Sequence, residues 1–474
     1  FAAESIISFG GCSFMIGLPP FLSFSENERT LQLKILMIIL RTVKNISSLN
    51  IAASVLLFLA AILAAVVANS SLSPVYQDFL LQELHLRIGN FNLFSHGGHP
   101  LKMIEFINDC LMTVFFLAVG LEIKRELLVG ELSSVRKAAL PFIAACGGMV
   151  VPVVIYALSV ASGTPETRGM AIPMATDIAF SLGVLSLLGK RVPLSLKIFL
   201  TAFAVVDDIG GILVIALFYS ADVAYGYLIA AAVLYVFLYY MGKFGVTQKI
   251  FFLFFGVIIW YLFLQSGIHS TISGVILAFV IPARPRLDAG KYIERIRDII
   301  GEFPVSKSDN IVLTNAQIAT LKQVERASDY VISPLQSLED NLHGAVSFVI
   351  LPLFAFANAG VVFSGSGSIV GDVSIAVAAG LLLGKFLGIY LFTWLAVKSG
   401  VALMPAGMNW KNIAGVSLLG GIGFTVSLFI ANLSFADEYP ELLNQAKFGV
   451  LVGTVLAGVL GYVVLNWVLP EREK

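Results

Sequence analysis

Twelve runs of about 20 mostly apolar residues recur along the chain, the length an α-helix needs to cross the hydrocarbon of a bilayer. Their approximate cores are 50–69, 106–122, 138–160, 169–188, 194–219, 223–241, 249–265, 269–283, 345–362, 373–397, 412–434 and 447–469. Inside lipid every backbone polar group must find its partner within the protein, so isolated runs of this kind fold as helices. The fold class is therefore an all-α polytopic membrane protein with about 12 transmembrane helices. Composition agrees: 58% of the 474 residues are hydrophobic and 13% charged, with a mean hydropathy of +0.90. Soluble domains run at roughly 45–50% apolar and 25% charged. The net charge is zero, so nothing points to a nucleic-acid partner. Cys12, Cys110 and Cys146 lack metal-site spacing, and the two that fall in spans read as small apolar fillers rather than a disulfide.

Orientation follows from Lys and Arg. With the N-terminal side in the cytoplasm, only Arg87, Lys102, Arg168 and Lys447 fall outside and Lys385 falls within a span. Every other Lys and Arg lies inside. An even span number then returns both termini to the cytoplasm. The membrane domain covers 45–470. Residues 1–44 form an N-terminal extension that the mature protein need not carry. Its stretch 5–25 is uncharged, but Gly10, Gly11, Pro19 and Pro20 interrupt it as a further span, and Met37 is an alternative start. The one long polar stretch, 284–342, is a cytoplasmic loop. Within it "KYIERIRDII" sets Ile293, Ile296, Ile299 and Ile300 on one helical face, which reads as an interfacial or solvated loop or as a regulatory cap. Between the first two spans, "LRIGNFNLF" alternates around Gly89-Asn90 as a hairpin does. An exposed hairpin edge invites a second copy, so a homodimer through residues 86–94 is expected.

A charge at the centre of a bilayer costs about 2.5–3.5 kcal/mol even on lenient insertion scales, and such charges mark function. With the charges at the cytoplasmic and outside faces set aside, the spans hold few: Asp109, Asp177, the adjacent pair Asp207 and Asp208, and Lys385. Neighbours on a helix point about 100° apart. One aspartate of the pair can face a cavity while the other meets Lys385, the one cation left once the charges assigned to the two faces are set aside. Close carboxylates in a poorly solvated site repel, and burial opposes bare charge. Both effects favour a bound proton or a bound hard cation, and the two occupants compete. That competition is the chemistry of ion exchange.

Two spans carry breaks. "IPMATDIAFSLG" places Pro173, Thr176 and Asp177 mid-span, and "LLGGIGFTVSLF" places Gly420, Gly421 and Gly423 ahead of Thr425 and Ser427. Broken helices expose half-helix ends near the midplane, where transporters bind ions. The break falls in the second of three spans in both 3–5 and 10–12, the pattern of inverted repeats with two discontinuous, crossing helices. An intramembrane aspartyl protease would want a Gly-x-Gly-Asp pattern, where this chain has "AVVDDIGG". A symporter would need an organic-substrate cavity, and a channel a continuous pore.

The run "ATDIAFSLGVLSLLGKRVPLSLKIFLTAFAVVDDIGGILVIALFY" closely resembles the NhaA family of sodium/proton antiporters. So do "INDCLMTVFFLAVGLEIKREL", "LPLFAFANAG", "GLLLGKFLGIYLF" and "GIGFTVSLFIANL", in family order over residues 45–470. The resemblance implies an electrogenic, pH-regulated exchanger of the bacterial inner membrane, usually dimeric. It would export Na+ or Li+ against protons, with no cofactor and no enzymatic activity. It implies Asp208 as the main cation and proton carboxylate, and Asp207 as alternating between the transient Na+/Li+ site and Lys385. Thr176 and Asp177 would sit at the crossing, with Glu122, Glu126, Glu339, His343 and His269 sensing pH. Asp109 remains as a further buried acid. The loop 284–342 looks longer than the family norm, and Asp340 stands where some members have a second His.

Overall fold

A computed structural model describes residues 51–470 except 86, 89–90, 93, 97–98, 220–222, 285–288, 302–313, 364–367 and 437, together with a strand pair β1 (Ser8–Phe9) and β2 (Cys12–Ser13). The proposed extension 1–44, with its stretch 5–25, otherwise lies outside the described residues.

Seventeen helices follow in chain order: α1 (Ile51–Ala68), α2 (Ser73–Leu81), α3 (Met103–Val129), α4 (Val135–Ser159), α5 (Pro165–Met174), α6 (Ile178–Leu187), α7 (Leu194–Phe218), α8 (Tyr225–Lys243), α9 (Lys249–Ser266), α10 (Thr271–Val280), α11 (Ala289–Gly301), α12 (Asn315–Val331), α13 (Pro334–Asn358), α14 (Asp372–Lys398), α15 (Trp410–Leu419), α16 (Phe424–Phe435) and α17 (Pro440–Val468). Among the described residues nine are long and apolar enough to cross a membrane, and eleven spans result if each bent pair is one. The pairs are α5 with α6, bent by 46°, and α15 with α16, bent by 44°. The expected eighth span, 269–283, shrinks to the ten residues of α10, about 15 Å long at 1.5 Å per residue. Gly267, at φ 80°, ends α9 in a left-handed turn, and Pro282 follows soon after α10, so neither end can lengthen. Length and apolarity therefore do not reproduce the count of twelve.

Both halves of each bent pair follow from local chemistry. Pro173 removes a backbone donor near the end of α5, which winds as a 3-10 helix, and Asp177 caps α6 by accepting from Phe180 N at 3.0 Å. In the second pair Gly420, Gly421 and Gly423 pack too closely for side chains: a Cβ on Gly423 would lie 2.8 Å from Ala175 O. That contact brings the two breaks together. Elsewhere α4 and α14 meet backbone to backbone, where a Cβ on Gly388 would sit 2.1 Å from Gly147 O.

Among the described residues three turns wind as π-helix: Ile107–Leu111 in α3, Val346–Ile350 in α13 and Gly380–Gly384 in α14. The expected hairpin forms as β3 (Arg87–Ile88) against β4 (Phe91–Asn92), followed by β5 (Ser95–His96) against β6 (His99–Pro100). Leu84 N donates to Leu101 O at 2.8 Å, which ties this segment to the entry of α3. Cys110 and Cys146 are free thiols.

Candidate functional site

Asp207 and Asp208 lie midway along α7, both buried, at 1% and 5% exposure. The turn of about 100° between neighbours sends them apart. Lys385 Nζ donates to Asp207 Oδ2 at 2.5 Å, and both side chains are fully enclosed. Lys385 stands directly after the π turn of α14 and one turn before the Gly388 contact with α4. The extra residue of the π turn and the glycine contact together fix where this long side chain enters the protein.

Asp208 faces a different space. A cavity of about 290 Å³ is lined by Asp208, Asp177, Thr176 and Thr425 together with Glu122, Arg125, Glu339 and His343. Asp207 is not part of that lining, so here a single carboxylate of the adjacent pair faces the cavity. No described group hydrogen-bonds or ion-pairs with Asp208. Among the described residues no three His, Cys, Asp or Glu side chains converge as a resident metal site.

Asp177 is also buried, but its bonding capacity is used. Its Oδ1 accepts from Phe180 N, and its Oδ2 accepts from Thr425 N at 3.2 Å and Thr425 Oγ1 at 2.7 Å. Its own N–H donates to Ile422 O at 2.6 Å. One carboxylate thus caps the N-termini of α6 and α16, the positive ends of two half-helices. The C-terminal end of α15 is served by hydroxyls: Thr176 Oγ1 donates to Gly420 O at 2.8 Å and Ser181 Oγ to Leu419 O at 3.0 Å. Each break satisfies the other's freed backbone groups, which is what allows irregular backbone deep in a membrane protein.

The cavity mouth holds Arg125 between two acids. Its Nε donates to Glu339 Oε1 at 2.9 Å and its Nη2 lies 3.0 Å from Glu126 Oε1, while Glu126 Oε2 accepts from Glu131 N at 3.0 Å. Glu126 is buried and Glu339 half-buried, whereas His343 is exposed. Nearby, Lys124 Nζ donates to Phe279 O at 2.7 Å and to Ile281 O, closing the C-terminal end of α10.

His269 and Asp109 lie elsewhere. They face each other across 3.6 Å, His269 Nδ1 is 3.1 Å from Thr271 Oγ1, and neither lines the cavity. Asp109 is not the buried acid expected: its side chain is 22% exposed, in the π turn near the start of α3. Sequence reasoning passed over Arg125, Ser181 and a relay of amides. Asn358 Nδ2 donates to Asn108 Oδ1 at 2.8 Å and Asn432 Nδ2 to Asn358 Oδ1 at 2.9 Å, linking α3, α13 and α16. The signal was present, since an amide inside an apolar run needs a partner as a carboxylate does.

A second cavity, of about 750 Å³, opens on the other side of the breaks. Arg168, Tyr219, Ser434 and Glu438 line it, and Arg168 Nη1 meets Glu438 Oε2 at 2.8 Å. Neither Asp207 nor Asp208 reaches this space.

The sequence pattern of the family described as Na+/H+ antiporter 1 matches residues 44–465. A Na(+)/H(+) antiporter NhaA of Bacteroides thetaiotaomicron is 74% identical over 438 residues, which are 92% of this chain and 100% of that protein. Its counterpart in Bacteroides fragilis is 75% identical over 437 residues, with the same coverage of both chains. A more distant relative, Na(+)/H(+) antiporter NhaA 1 of Saccharophagus degradans, is 42% identical over 424 residues, 88% of this chain and 90% of that protein. With the motifs, the paired breaks and these matches over nearly its whole length, the chain belongs to the NhaA family of sodium/proton antiporters.

Proposed function

We propose that this multi-pass membrane protein, a transporter and not an enzyme, exchanges cytoplasmic Na+ or Li+ for external protons at Asp208. The observation that carries the reading is the contrast among three buried aspartates. Asp207 is neutralised by Lys385, Asp177 is consumed in capping two helices, and Asp208 alone faces a cavity with no bonded partner among the described residues. A carboxylate so placed must be occupied, by a proton or by a small hard cation, and one occupant excludes the other. Thr176 and Thr425 add oxygen atoms along the same wall. Asp207 joins the ion site when it leaves Lys385, and Asp177 balances the half-helix ends through the cycle. Glu122, Glu126, Glu339 and His343 at the mouth set the pH at which the cavity admits cations, with His269 contributing from its own site beside Asp109.

The Lys and Arg bias supports a cytoplasmic mouth and cytoplasmic termini, in a bacterial inner membrane. The edge of the hairpin at 86–94 supports a homodimer. The family supports electrogenic exchange, with more protons than sodium ions per cycle. The test is proton flux in inside-out vesicles from cells lacking other sodium antiporters, with Na+, Li+ or K+ added at several pH values. Cation-triggered proton release is expected from wild type and not from Asp208→Asn. Near-normal release from a well-inserted Asp208→Asn variant refutes the assignment.

A further inference from the structure

The insert between α10 and α13 takes no part in the site described above. Its root is closed where Leu335 N donates to Pro282 O at 3.2 Å, so the segment leaves and re-enters the helix bundle at one point. Its two described helices, α11 and α12, pack on each other as a hairpin. At about 100° per residue, Tyr292, Ile293, Ile296, Ile299 and Ile300 of α11 share one arc of about 120°. Arg295 and Arg297 fall on the two borders of that arc, and Glu294 and Asp298 fall at the opposite pole. Tyr292, Ile296 and Ile299 are half-buried. Ile293 and Ile300 remain 57% and 59% exposed, and Ile318 and Leu321 of α12 are open as well.

Packing on α12 accounts for part of the apolar arc, but neither it nor water gives a reason for the open Ile293 and Ile300 or for the arginines at the borders. A helix lying in an anionic interface does: its apolar arc enters the boundary between headgroups and acyl chains, and long basic side chains at the edges reach the phosphates. Acidic residues belong on the far side, away from lipid charge. The closed root lies directly after α10, an apolar helix of the bundle, so a bilayer surface is within reach of the hairpin.

We infer that the α11–α12 hairpin docks on anionic phospholipid, with Ile293 and Ile300 in the interface and Arg295 and Arg297 on lipid phosphates. The leaflet is the cytoplasmic one by the orientation argued above. The lipid contact itself does not depend on that orientation, and the test uses vesicles with the same lipids in both leaflets.

The experiment uses the full-length protein with its three cysteines replaced by serine and one Ile300→Cys site carrying an environment-sensitive fluorophore. It is reconstituted into phosphatidylcholine vesicles with or without phosphatidylglycerol, and nitroxide-bearing acyl chains serve as quencher. With phosphatidylglycerol the emission is expected to shift to the blue and to lose most of its intensity to the nitroxide. Without it, or at high salt, the emission stays aqueous. A probe at Asp298→Cys, on the opposite pole, stays aqueous throughout. Arg295→Gln and Arg297→Gln are each expected to lower the docked-to-undocked ratio by about fivefold. Three results overturn the inference: an aqueous probe in both lipids, equal quenching in both, or a probe shielded from lipid and from aqueous iodide alike. The last would mean that protein, either this chain or a second copy, covers the face instead.

Discussion

Replacing Lys385 by Met tests the electrostatics of the site most directly. Met keeps the apolar stem and removes the charge, leaving Asp207, fully enclosed and 2.5 Å from the lost ammonium, without its counterion. Removing one member of a buried ion pair costs about 3–5 kcal/mol, because the survivor stays desolvated and uncompensated. Domains of about 150–250 residues lose roughly 2–4 °C in melting temperature per kcal/mol, and larger chains lose less. At about half that sensitivity, Lys385→Met should melt roughly 3–10 °C below wild type. The companion variant Asp207→Asn/Lys385→Met removes both charges and should recover most of the loss, since a neutral replacement of a buried pair is often nearly neutral in stability. The assay is thermal loss of the monodisperse peak of detergent-solubilised protein, run on wild type, both single variants and the double. The reasoning is refuted if Lys385→Met melts with wild type, or if the double variant melts no higher than Lys385→Met.

Further substitutions probe the paired breaks and the helix contact behind Lys385. Thr425→Val removes the hydroxyl that donates to Asp177 Oδ2 at 2.7 Å and should cost about 1–3 kcal/mol, while Thr425→Ser should keep most of the stability in the same melting assay. Gly388→Ala puts a methyl group 2.1 Å from the Gly147 carbonyl oxygen, so α4 and α14 must separate. Overpacking of this kind costs about 1–3 kcal/mol, and a variant melting with wild type would contradict the contact.

What could be read in the sequence is what the bilayer dictates. Apolar runs must be helices, and charges within them must be partnered or used, so α7 and the isolation of Lys385 stand out from residue types alone. The breaks were legible too, because Pro173 and the Gly420–Gly423 stretch carry their own local chemistry. Three things were not. The shortness of α10 depends on a left-handed Gly267, and its residues are as apolar as those of a full span. The π turns at Ile107–Leu111, Val346–Ile350 and Gly380–Gly384 have no composition in common that separates them from ordinary helix. Arg125 looked like one more cytoplasmic charge, because Glu339, which makes it part of the cavity mouth, is 214 residues away. In each case the missing information is a tertiary contact or a single backbone angle, and periodicity cannot encode either.

The same division explains how one chain keeps three buried aspartates in three chemical situations. Sequence placed Asp207 and Asp208 side by side, but helix geometry assigns them different neighbours. A lysine from α14, positioned by a π turn and a glycine contact, meets Asp207. Asp177 differs because it lies in a break rather than a helix: there its backbone can donate to Ile422 O while its carboxylate accepts from Phe180 and Thr425. Those bonds also tie α6 to α16, so the two half-helices must move together or exchange partners. A change at either break is then felt along the wall that also holds Asp208. On the proposed function, an occupant of Asp208 therefore acts on a structure already assembled from mutually dependent pieces. If the proposed exchange runs by alternating access, its bistability is to be sought in the paired breaks rather than in the carboxylate alone.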